Sequence, residues 1–122
     1  MTKYSDDTVK IVISQVIKNE LCVTQSDGEK VFDIIHHSLR NGYKIRLSFA
    51  GVRYTISAFL NPAIGMLYKY YTSEQLNSNL KIEEATPTQL KMVREVLRNA
   101  KEYYSNQHLA ESNLIEAIDE EL

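Results

Sequence analysis

Few side chains in this 122-residue sequence carry a chemistry that their type and spacing make plausible. His36 and His37 are adjacent on a candidate helix, which turns them about 100° apart. Metal ligation needs convergent donors, and His108 is remote, with no Cys or acidic cluster at ligand spacing, so no metal site is expected. The single cysteine, Cys22, sits between Leu21 and Val23 and reads as a small buried apolar residue rather than a reactive thiol. Lys91, Arg94, Arg98 and Lys101 recur at i, i+3, i+7 and i+10 and form a basic stripe that could track phosphates. Glu95 and Glu102 lie beside it, so a solvated helix face is the better reading, and nucleic acid is disfavoured as a partner. Eight tyrosines include Tyr68, Tyr70, Tyr71, Tyr103 and Tyr104, a residue type suited to interfaces. The hydroxyls of Thr55 and Ser57 precede an apolar helix, where such residues most often act as N-caps. No GxSxG, no phosphate-binding glycine loop, no Cys/His pair and no carboxylate pair in an apolar setting occurs. A binding module without a catalytic centre or cofactor is therefore expected.

The elements that would position these residues are legible in the pattern. Lys10–Ile17 reads as a first strand and Leu21–Thr24 as a second, with Lys18-Asn19 as a hairpin tip. Ser26 and Glu29 have capping-box spacing; the helix they would open carries Val31, Ile34, Ile35 and Leu39 inward and stops at Asn41-Gly42. In Lys44–Phe49, Ile45, Leu47 and Phe49 alternate with Lys44, Arg46 and Ser48, as in a half-buried strand. After Ala50-Gly51, a helix over Phe59–Tyr71 has one stripe of Phe59, Ala63, Met66, Leu67 and Tyr70, and a second of Leu60, Ile64, Tyr68 and Tyr71. Two apolar flanks suggest that one meets the sheet and the other a partner. Pro62 restricts the start of this helix, and Ala58–Asn61 is favoured as its first turn over a start at Pro62 with Asn61 as cap. Thr72–Ser78 reads as a loop, Leu80–Glu83 as a strand, and Thr86-Pro87 as the start of a last helix with Leu90, Val93, Leu97, Ala100 and Tyr104 inward.

The order β-β-α-β-α-β-α predicts an α/β fold with a mixed sheet of about four strands and helices packed mainly on one face. Charge divides the chain. All 14 Lys and Arg lie in residues 1–107 with 11 acids, whereas residues 108–122 hold five acids and no Lys or Arg. A domain over 1–107 and an acidic amphipathic helical tail over 108–122, with Leu114, Ile115, Ile118 and Leu122 at helical spacing, are expected. One cysteine, no apolar signal core and no apolar run near 20 residues point to the cytoplasm and away from a membrane.

Ser26–Lys30 (SDGEK), Leu47–Val52 (LSFAGV) and Ser57–Tyr68 (SAFLNPAIGMLY) together resemble the STAS-like family of bacterial and phage proteins, related to the STAS domains of anti-sigma factor antagonists. The resemblance covers roughly residues 9–103. It implies a STAS-like fold and a non-enzymatic regulatory module that docks a histidine-kinase-like ATPase or another anti-sigma-type regulator. In such antagonists a kinase phosphorylates a Ser or Thr at the start of the helix after the central strand, and the added charge ends binding. Carried onto this chain, the acceptor falls at Ser57 or at Ala58, which cannot be phosphorylated, with Thr55 as a second candidate. Ser48 stands where an aspartate is common. The expected contact surface is the turn and helix over residues 55–71, with Phe59, Leu60, Asn61, Ile64, Tyr68 and Tyr71 meeting the partner. The alternative is a homo-oligomeric assembly domain using the same helix, with no phospho-switch.

Overall fold

A computed structural model describes the backbone of residues 2–5 and 7–121 and the side chains of residues 7–105. Strands β1 (Thr2–Ser5), β2 (Thr8–Val12), β4 (Lys44–Ser48) and β6 (Leu80–Glu83) form a mixed sheet in the order β1-β2-β4-β6. The β1–β2 pair is antiparallel; β2–β4 and β4–β6 are parallel. Successive crossovers step the same way across the sheet, and with the usual right-handedness both fall on one face. The strands show it. Val9 and Ile11 of β2 stand beside Ile45 and Leu47 of β4, all buried, while their alternates Lys10 and Arg46 pair on the other face. The fold is the mixed α/β arrangement anticipated from the pattern.

Where the structure departs from the pattern, the cause is local. The run Lys10–Ile17 is not one strand: β2 ends at Val12 and a five-residue helix, α1 (Ile13–Ile17), follows. Continued period-two alternation from Ile13 would have turned Gln15 inward, whereas helical spacing buries Ile13 and Ile17 together and leaves Gln15 exposed. Lys18-Asn19 is not a hairpin tip. Lys18 closes α1 in the left-handed region (φ 55°), and the chain leaves the main sheet. The second strand, β3 (Leu21–Cys22), pairs instead in parallel with β5 (Tyr54–Thr55) in a separate two-stranded sheet.

Helix α2 (Gln25–Arg40) begins two residues earlier than the Ser26/Glu29 spacing implied, because Thr24 is the cap: its hydroxyl accepts from the Asp27 N–H at 3.1 Å. Val31 and Ile35 are buried, with Ile34 and Leu39 partly so. At the other end Asn41-Gly42 stops the helix as expected. Gly42 takes φ +83°, and the Tyr43 and Gly42 amides reach back to the Ser38 and Leu39 carbonyls in a Schellman arrangement.

The segment expected as one helix is two. Helix α3 (Ser57–Ala63) starts one residue before the favoured Ala58–Asn61 first turn and not at Pro62, which lies inside it; a 3-10 segment (Gly65–Lys69) follows. Thr72–Ser78 is not a loop. Helix α4 (Ser73–Asn79) opens there on a reciprocal capping box between Thr72 and Gln75, a Thr-x-x-Gln signal carried by the sequence. Helix α5 (Pro87–Glu121) opens on a second such box, in which Thr86 and Gln89 exchange side-chain and backbone bonds. The packing of the 108–122 tail side chains, including Leu114, Ile115, Ile118 and Leu122, lies outside the described residues.

Candidate functional site

The turn that delivers α3 is fixed from three sides. At the end of β4 the Ser48 hydroxyl donates to Glu84 Oε1 at 2.9 Å and accepts from the Ala50 N–H at 3.1 Å. From α1, the Ser14 hydroxyl donates to the Ala50 carbonyl at 2.9 Å, and the buried Gln89 amide of α5 donates to the Val52 carbonyl at 3.1 Å. The short β3–β5 ladder is extended by the Arg53 and Ile56 amides, which donate to the Glu20 and Cys22 carbonyls. A chain held at this many points has little freedom before α3 starts, so Ser57 is presented in one place.

Neither expected cap is the cap. Ile56 holds that position in extended conformation, with no side-chain capping bond. Ser57 is the first helical residue and is exposed. Thr55 is buried on β5, and its Oγ1 has no hydrogen-bond partner among the described residues. A kinase cannot reach it, which removes Thr55 as an acceptor. Its hydroxyl is also a cost to the fold, since an unsatisfied buried hydroxyl is worth about 1–3 kcal/mol. Thr55→Val is therefore expected to leave stability unchanged or to raise it by about 1 kcal/mol in urea unfolding. A loss above about 1 kcal/mol would mean the hydroxyl has a partner after all.

The two apolar flanks of the Phe59–Tyr71 segment both face this protein's own core. Phe59, Leu60, Ala63, Ile64 and Leu67 are all no more than 1 % exposed. Helix α2 covers one side, and α5 covers the 3-10 segment on the other, where a Cβ on Gly65 would sit 3.5 Å from the Ala100 Cβ. Phe59, Leu60 and Ile64 are thus core residues, unavailable to a partner or to a second copy without unfolding. The expectation counted apolar stripes without counting helices to cover them: two neighbours, α2 and α5, are enough for two flanks.

What remains accessible is a groove of about 510 Å³ between α3, the 3-10 segment and α5. Ala58, Asn61 and Pro62 form one wall and Asn99, Ala100 and Tyr103 the other, with Gln25 at one end. Tyr104 donates its hydroxyl to the Met66 sulfur at 3.2 Å, joining the two walls. Ser57 immediately precedes the wall residue Ala58. Asn61 and Tyr103 are exposed, the latter by 60 %. Of the six expected contact residues, only Asn61 lines this groove. Tyr68 and Tyr71 are half-buried and line a second cleft with Lys69 and Lys101. Tyr71 is committed within the fold: its hydroxyl lies 2.9 Å from His36 Nδ1, and burial raises its pKa. His36 in turn stacks on Phe32 at 5.2 Å between ring centres.

The sequence reading singled out no charged pair, yet among the described residues the sheet's open face carries ion pairs of Arg46 and Lys10. Arg46 binds Glu83 through Nε and Nη2, and Lys10 binds Glu84 at 2.6 Å. The Arg46 hydrogen bonds hold the Glu83 carboxyl below its usual range, and those from Lys10 and Ser48 do the same for Glu84. Both carboxylates are therefore held ionised by their partners, and the Arg46–Glu83 pair ties β4 to β6. Glu84 adopts φ 56°, a conformation costly for a residue with a Cβ, and these two contacts keep it there. Cys22 is fully buried, and burial, with Asp27 adding to it, pushes the thiol up to about 11. It should resist thiol reagents at neutral pH in the native protein and react on denaturation. Fast native labelling would contradict that burial.

The turn, α3 and the 3-10 segment fall within the stretch that identifies the chain, whereas the groove wall of Asn99, Ala100 and Tyr103 lies beyond it. Residues 27–90, from the first turn of α2 to the first turn of α5, match the family described as STAS-like domain of unknown function (DUF4325). The chain belongs to that family. The match takes in two of the three stretches that carried the resemblance, LSFAGV and SAFLNPAIGMLY, and enters the third at Asp27. No curated protein and no solved structure is detectably similar to it. In this STAS-like domain no helix among the described residues is long and apolar enough to cross a membrane.

Proposed function

We propose that this STAS-like domain is a regulatory protein-binding module of the cytoplasm, in the manner of anti-sigma factor antagonists. It docks a histidine-kinase-like ATPase or a comparable regulator through the groove between α3 and α5. The observation that carries the reading is the groove itself: an apolar, partly open channel with amides at Gln25, Asn61 and Asn99, and an exposed tyrosine on its rim. Apolar floor with a few orienting polar groups and an aromatic anchor is the composition of an interface core.

Ser57 supports a switch on the same surface. It is exposed, it adjoins the groove wall, and a phosphate on it would add charge to the rim of an apolar contact. The helix dipole contributes little to such a switch, because α3 has only seven residues and its cap carries no side-chain bond. The switch therefore works by repelling the partner rather than by ordering the helix. Phosphosite mapping on the protein isolated from its native cells tests it. Phosphate on Ser57, and release of the partner by Ser57→Asp, support the switch; an unmodified Ser57 in the partner-free pool leaves constitutive docking and removes the gate.

A further inference from the structure

The second cleft, between the 3-10 segment and α5, gathers hydrogen-bond donors and no carboxylate. It encloses about 340 Å³. Lys69 stands on one wall and Lys101 on the other, both exposed, and neither forms an ion pair with a described residue. Ser73 and Ser105 add hydroxyls that bond no described residue. Thr72 accepts from the Gln75 N–H through its side-chain oxygen and keeps its own proton to donate. Glu74 and Glu102 adjoin these residues in sequence but do not line the cleft.

The surroundings reinforce the sign. Lys101 ends the row of exposed cations Lys91, Arg94 and Arg98 on α5, which draws anions toward this end of the helix. The charge of Arg40 is felt at the Tyr71 hydroxyl, so a further cation lies nearby. Two rings flank the cations. Tyr68 is half-buried and Tyr70 is 53 % exposed, with Lys69 Nζ 5.7 Å from the centre of the Tyr70 ring.

Donors without a carboxylate suit a ligand that only accepts, and two ammonium groups favour a doubly charged one. A phosphate monoester is close to a dianion at pH 7, with three acceptor oxygens. We infer that this cleft binds a small organic phosphate monoester, the phosphate between Lys69 and Lys101 and the organic part against Tyr68 and Tyr70. The volume lies at the low end of the about 300–1,000 Å³ of small-molecule sites, so the ligand is small. Side chains carry this complementarity; the seven-residue α4 contributes no dipole of consequence. The cleft meets the α3–α5 groove at Tyr104, yet it is a separate surface, and the inference does not rest on docking through that groove.

NMR titration of the full chain with phenyl phosphate, at about 0.15 M salt, tests the assignment. Binding should saturate at one site and shift the backbone amides of residues 68–73 and Lys101. Lys69→Gln and Lys101→Gln should each weaken it about tenfold. Lys81→Gln, on the open face of the sheet, should leave it unchanged. All three lysines are exposed, so the variants should fold as the wild type does. Inorganic phosphate should bind more weakly than phenyl phosphate, because it lacks the ring that meets Tyr68 and Tyr70. No saturable binding, shifts centred elsewhere, or an equal loss from Lys81→Gln would overturn the site. Inorganic phosphate binding as tightly would overturn the monoester, and a phosphoserine peptide binding more tightly than phenyl phosphate would overturn the small molecule in favour of a phosphorylated protein.

Discussion

Phe59→Ala should cost about 3–5 kcal/mol of unfolding free energy, while Asn61→Ala, two residues on, should change it by less than about 0.5 kcal/mol. Phe59 is fully buried between α3 and its neighbours, so truncation removes its transfer free energy and leaves a cavity that the surrounding helices cannot close. A small domain is stable by about 5–15 kcal/mol, so this one change consumes much of the margin. Asn61 is exposed on the groove wall and has no comparable packing to lose. The contrast separates core from contact surface within one helix. Chemical denaturation measures it, and a cost below about 1 kcal/mol for Phe59→Ala would put that ring on the surface after all.

The second large effect falls on Gly28, and its sign is the informative part. Glycine within a helix costs about 1 kcal/mol relative to alanine, so propensity alone predicts that Gly28→Ala stabilises. Packing predicts the reverse. A Cβ at Gly28 would sit 2.4 Å from the Phe59 carbonyl oxygen and 2.7 Å from Pro62 Cγ. The nearer of these is backbone, so α2 and α3 would have to separate. We expect a net loss of about 1–3 kcal/mol, with the groove distorted because Pro62 forms part of its wall. A gain in stability would mean that the two helices are not in close contact. Gly28 also accounts for why SDGEK is a useful marker: the glycine is what lets α3 lie against the first turn of α2.

Much of the architecture was legible because it depends on local pattern. The alternation in Lys44–Ser48, the strand at Leu80–Glu83, the stop at Asn41-Gly42 and the helix after Thr86 are each set by neighbouring residues, and each is where the pattern put it. What was not legible depends on tertiary partners. Nothing in Leu21-Cys22 says that its mate is Tyr54-Thr55 rather than β2, since pairing across 33 residues leaves no local mark. The two apolar stripes of residues 59–71 were read correctly as stripes, but which surface covers each is decided by α2 and α5, far away in sequence. The candidate site suffered the same way. Asn61 and Ser57 lie where their helix positions suggest, whereas the opposing wall of Asn99 and Tyr103 exists only once α5 packs across the 3-10 segment. The neighbouring tyrosines Tyr103 and Tyr104 were visible as interface-type residues; their convergence on Asn61 was not.

Site-specific photo-crosslinking in native cells tests the proposed docking function most directly, with a photoreactive residue placed at Asn61 and, as the control, at Lys81 on the open face of the sheet. Docking through the α3–α5 groove predicts a discrete heterologous protein adduct from position 61, absent from position 81, and lost when Tyr103 is changed to Ala. Adducts of equal yield from both positions, or none from position 61 while the protein co-purifies with a partner, would contradict it.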